Sequence, residues 1–108
     1  MGLIIAPLKK DKLEAWKKWA ETLSGEKNKA FNEFNKKYGL TRHDAWLAET
    51  PDGPVVVALH EGPGADSFMQ SVAESDGSFE SDFKEKLMEF HGMDLSGPPP
   101  GPMPVKMI

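Results

Sequence analysis

Residues 40–62 read LTRHDAWLAETPDGPVVVALHEG, and this stretch decides the fold. Leu40 to Thr50 and Pro54 to Glu61 are two strand-like runs joined by Pro51-Asp52-Gly53. Proline presets φ, aspartate favours the bend and glycine accepts positive φ, so the pattern predicts a hairpin. With the turn centred on Asp52, Trp46 stands opposite Ala58 and Asp44 opposite His60. Alternation then sorts the side chains. One face carries His43, Ala45, Leu47, Val55, Val57 and Leu59, and suits packing under helices. The other carries Arg42, Asp44, Trp46, Ala48, Val56, Ala58 and His60. That second face is too apolar for open water and too polar for an ordinary core. A shift of one residue in the turn would re-pair the strands and undo the Asp44–His60 match.

Upstream, Leu3-Ile4-Ile5-Ala6 is a short apolar run ended by Pro7, which predicts a first strand. Leu13, Trp16, Ala20, Leu23, Lys27, Ala30/Phe31, Phe34 and Tyr38 then recur at spacings of three and four, as on one helix face. The stripe keeps its phase across Ser24-Gly25, so one long helix or two co-linear ones fit, with Gly25 as the break. Gly39 supplies the left-handed residue after the helix end. Downstream, Gly62-Pro63-Gly64 ends the second hairpin strand. A helical region begins near Ala65 and carries Phe68, Met69, Val72 and Ala73. Ser75-Asp76-Gly77-Ser78 interrupts it, and Phe79, Phe83, Leu87 and Phe90 resume the pattern until Gly92.

Residues 1–92 therefore read as one α+β domain in the ferredoxin-like order β-α-β-β-α-(β), an antiparallel sheet with helices on one face. Residues 93–108 read as a proline-rich extended arm, with Val105-Lys106-Met107-Ile108 as a possible final strand and an apolar end suited to docking.

Composition narrows the function classes. The 108 residues contain no cysteine, which excludes disulfides, thiolate zinc sites and a cysteine nucleophile. No apolar run reaches the roughly 20 residues that span a bilayer. The opening MGLIIAPLKK has no basic region before its apolar segment, so no signal peptide is expected and the cytoplasm is the default. Net charge is −4 overall, split as +4 over residues 1–48 and −8 over residues 49–108. Acidic residues interleave with the lysines of the first half, a poor surface for tracking phosphates, so no nucleic-acid partner is expected. A basic first helix beside an acidic second one accounts for the asymmetry instead.

The element order, the lone Trp46 on the second strand and the VVVALHEG strand-into-helix junction together resemble the dimeric α+β barrel proteins. That superfamily includes the antibiotic-biosynthesis monooxygenase-like domains and uncharacterised relatives. The resemblance covers roughly residues 1–92. It implies a homodimer whose two sheets form a barrel, and a cavity between each sheet and its own helices in members that bind small molecules. Several members oxidise aromatic substrates without a cofactor, and others bind haem. The chain departs from the monooxygenase pattern early in the second helix. There it has Ala65-Asp66-Ser67-Phe68-Met69 where those domains often place a histidine or aromatic residue.

The candidate catalytic set is Asp44, His60 and Arg42. A carboxylate hydrogen-bonded to an imidazole fixes its tautomer and raises its pKa for acid/base work, and Arg42 would hold an anion or enolate. The competing reading is an edge ion pair between Arg42 and Asp44, with His60 a satisfied strand histidine. Trp46 would stack on a ligand. Trp16, Phe34 and Phe68, with Phe31 and Phe83, would line a cavity for a planar apolar molecule, unless they are simply core. His91 fits a helix C-terminal cap, and His43 lies near the strand edge. No histidine spacing suits a metal, and no cofactor is expected; haem would need His60 as its axial ligand. The functional expectation is a cofactor-independent, monooxygenase-like enzyme, with a non-catalytic ligand-binding or dimerisation domain as its alternative.

Overall fold

The computed structural model describes residues 2–95 and 104–108. Strand β1 (Gly2–Pro7) leads through a short 3-10 turn at Lys10–Lys12 into helices α1 (Leu13–Ser24) and α2 (Asn28–Lys37). The hairpin follows as β2 (Arg42–Thr50) and β3 (Gly53–Glu61), and then, after a second 3-10 turn at Ala65–Ser67, come α3 (Phe68–Ala73) and α4 (Ser78–His91). The long helical stripe is thus broken at Gly25, as its poor helix propensity predicts. The second helical region is broken around Ser75-Asp76-Gly77. Gly39 and Gly92 both take positive φ where their helices end, at 74° and 67°. Residues 96–103 of the proline-rich arm lie outside the described residues. Residues 104–108 are exposed and belong to no strand.

The sheet is antiparallel with the order β1-β3-β2, so β1 and β2 are separated by β3. The hairpin register differs from the one predicted. Thr50 pairs with Gly53, so only Pro51 and Asp52 form the loop, and every pairing moves by one residue. Thr50 locks this tighter turn: its hydroxyl donates to the Gly53 carbonyl at 2.7 Å and accepts from the Asp52 amide at 3.2 Å. The consequence is the one a period of two demands. Strand β2 keeps its predicted faces, but β3 is turned over. His43, Ala45 and Leu47 now share the helix-covered face with Val56, Ala58 and His60, and with Ile4 and Ala6 of β1.

Beneath that face, Ile4 and Ala6 pack with Phe34, Phe68, Val72, Phe83 and Leu87 in the main core cluster. A second cluster joins Leu8, Trp16, Val56 and Phe90. The rings of Phe34, Phe68, Phe79 and Phe83 contact one another at the centre, with Phe34 and Phe79 4.7 Å apart.

Among the described residues, no element covers the opposite face. Ile5, Val57 and Trp46 form one row across the three strands, and Leu3 and Leu59 lie in the next. Ile5 is 50% exposed and Trp46 48% exposed. β1 is an edge strand with no charged residue.

Two further contacts fix the helices. Glu80, only 4% exposed, accepts hydrogen bonds from Lys37 and Tyr38 at 2.7 Å and from Ser75 at 2.9 Å. Those donors hold its carboxyl down at about 2, and the cluster clamps α2 onto the start of α4. With the Lys12–Glu89 pair at 4.0 Å, it ties the first helical region to α4. At the other end, the Gly64 amide donates to the Gly39 carbonyl at 3.0 Å and Thr41 to the Glu61 carbonyl at 2.8 Å. The loop into α3 therefore lies against the loop into β2. A side chain at Gly64 would meet the backbone carbonyl of Tyr38.

Candidate functional site

A cavity of about 400 Å³ opens between the helices and the covered face of the sheet. Ala45, Val56 and Ala58 form its floor, and Trp16, Trp19, Phe31, Phe83 and Met69 its walls. Small residues on the strands and large rings on the helices leave this space, because the alanines do not fill the gap under the aromatic layer. Trp16 lines the cavity. Phe34 and Phe68 do not: they are buried in the core behind it, at 4% and 1% exposure.

Among the polar side chains that line the cavity are two paired histidines. His43 and His60 face each other across β2 and β3, with Nε2 atoms 3.2 Å apart, ring centres 4.5 Å apart and planes at 84°. The Nδ1 of His43 lies 2.8 Å from Oδ1 of Asn35, which is buried on α2. With that oxygen accepting, His43 carries its proton on Nδ1 and offers a lone pair at Nε2, so His60 donates from Nε2. Phe31 and Phe68 pack against the pair. Burial, with His60 alongside, holds the His43 imidazole down at about 3. Burial alone holds His60 at about 4. Both rings are therefore neutral at pH 7.

Asp44 does not meet His60. It stands opposite Leu59 on the uncovered face, paired with Arg42, whose guanidinium also reaches Glu61 at 3.4 Å. The adjacent carboxylates raise the Arg42 pKa, through the Asp44 hydrogen bond first. The structure thus divides the sequence-derived catalytic set: His60 is at the cavity, and Arg42 and Asp44 form an ion pair on the far face. Trp46 sits with them there, half exposed; Asp44 and Trp46 border the cavity only as strand neighbours of Ala45.

His91 also lines the cavity, at its β1 end, donating from Nδ1 to the Pro7 carbonyl at 2.9 Å. Burial lowers its pKa, against the pull of that carbonyl. Asn35 is a site residue outside the sequence-derived set, although it lies four residues after Phe31 and three before Tyr38, on the apolar stripe. A lone amide at such a position is the signal for a buried polar partner.

Among the described residues no group of three or more His, Asp or Glu side chains is placed to hold a metal ion, and no helix is long and apolar enough to cross a membrane. The chain matches no family model, no curated protein and no solved structure.

Proposed function

We propose that this chain is a small-molecule-binding protein built as a ferredoxin-like, homodimeric α+β barrel. The ligand occupies the cavity between the helices and the sheet. The observation that carries this reading is the cavity itself: about 400 Å³, walled by aromatic rings, with the His43–His60 pair as its buried polar group. Sites for small ligands have this composition, mostly apolar with a few converging polar atoms. The strand order with β3 between β1 and β2 supports the ferredoxin-like reading. The bare row of Ile5, Val57 and Trp46 supports a second sheet packed against it.

Binding is favoured over monooxygenase-like turnover. A general base works best with a pKa near the operating pH, and these imidazoles are held at about 3 and 4. The test is an NMR titration with naphthalene, following the Met69 methyl and the rings of Phe31 and Phe83. These resonances shift on binding, and Ala45→Phe, which fills the floor of the cavity, abolishes the shift. Wild-type resonances that stay still at saturating naphthalene would sink the reading.

A further inference from the structure

We infer that the ligand presents an uncharged hydroxyl, which bridges the Nε2 atoms of His43 and His60 in place of the bond between them. The inference rests on the small-molecule reading above and specifies its polar end. Two neutral imidazoles that share a hydrogen bond always expose one N–H and one lone pair. The Asn35 amide sets which ring carries which, and turning that amide over exchanges the two roles without changing the sum.

The existing bond between the rings is poorly aligned. Were the two nitrogens pointing at each other along one line, the ring centres would stand roughly 5–6 Å apart. They are 4.5 Å apart with the nitrogens at 3.2 Å, so the nitrogen axes are bent away from that line. A bond so bent is weak and readily exchanged. A hydroxyl satisfies both nitrogens at once, accepting from one ring and donating to the other. A carbonyl or ether accepts only and leaves the lone pair without a donor. A carboxylate brings a charge to a cavity that no lysine or arginine among the described residues lines. An ammonium group only donates. Beyond the pair, the rings of Trp19, Phe31 and Phe83 call for a flat apolar body.

The experiment compares 2-naphthol, 2-methoxynaphthalene and naphthalene at pH 7, each titrated into wild type and His60→Phe. In wild type, 2-naphthol binds about tenfold more tightly than the other two, the gain expected of two modest hydrogen bonds. It also shifts the imidazole ¹⁵N resonances of both His43 and His60. In His60→Phe, 2-naphthol loses its advantage over 2-methoxynaphthalene and naphthalene, and a wild-type circular dichroism spectrum shows that the variant is folded. Equal wild-type affinities for the three compounds overturn the hydroxyl inference and leave the cavity reading standing. Failure of all three to bind overturns both. Where His60→Phe does not fold, the wild-type ranking decides alone.

Discussion

His60 faces His43 across β2 and β3, with their Nε2 atoms 3.2 Å apart, and Asp44 belongs to the other side of the sheet. A single residue in the turn makes this difference. It exchanges a carboxylate–imidazole couple for a neutral imidazole pair, and with it the chemistry open to the cavity.

The pair makes stability depend on pH. Both histidines titrate lower in the folded chain, at about 3 and 4, than the 6.5 of a free imidazole. Between those limits the unfolded chain binds more protons, so stability rises with pH. It is complete above about pH 6.5 and is lost as the pH falls toward 4, by about 1.4 kcal/mol per unit for each histidine at most. Urea midpoints measured from pH 8 to pH 4 should fall across this window. His60→Phe should flatten the slope; an unchanged slope would show that His60 does not contribute to it.

Glu80 acts in a lower window. Its depressed pKa contributes stability that is present above 4.5 and lost as the pH falls toward 2. Glu80→Gln leaves the donors of Lys37, Tyr38 and Ser75 with a weaker acceptor and should cost about 2–3 kcal/mol. Tyr38→Phe, which removes one of those hydrogen bonds, should cost about 1 kcal/mol. Denaturant unfolding at pH 7 ranks the two, and a reversed ranking contradicts the clamp described for α2 and α4.

The uncovered sheet face should set the oligomeric state. Light scattering on the wild type should give twice the chain mass. Trp46→Glu and Ile5→Lys should each give a monomer with an unchanged circular dichroism spectrum, because both side chains are about half exposed within one chain. A monomeric wild type contradicts the barrel.

Glycines at two turns should differ in their tolerance of alanine. At Gly64 a Cβ would collide with the Tyr38 carbonyl, and Gly64→Ala should cost more than about 3 kcal/mol or prevent folding. At Gly53 nothing lies within 4 Å, but φ is 123°. Gly53→Ala should therefore cost only about 1–2 kcal/mol, as backbone strain. Thermal melts of the two variants compare them directly.

Most of the architecture was legible because it rests on local signals. The turn residues placed the hairpin, the 3.6-residue period placed the helices, and Gly25, Gly39 and Gly92 marked their ends. The candidate site was less legible because it depends on register. Pro51-Asp52-Gly53 is compatible with a loop of two residues or three, and the tighter turn carries the Thr50 hydroxyl bonds to Gly53 and Asp52, contacts that no pattern of apolar residues encodes. The two-residue loop turns β3 over relative to the expected register, moving His60 from the bare face to the cavity. It left His43, a residue with no evident role at the strand edge, as His60's true partner. Phe34 and Phe68 share the helical period with Trp16, and periodicity alone does not separate residues that line a void from residues that fill the core behind it.

The strand order also has a kinetic consequence. Among the described residues β1 pairs only with β3, so β1 has no partner until residues 53–61 emerge. The hairpin closes over a two-residue loop, whereas joining β1 to it closes about fifty residues and costs more chain entropy. The hairpin should therefore be formed in the folding transition state and β1 should dock after it. Substitutions at Thr50 or Gly53 should slow folding, while those at Ile4 or Ala6 should mainly speed unfolding. Chevron analysis would show the division as high φ-values at the turn and low ones along β1. Of the three strands, the first in sequence would then be the last to find its place.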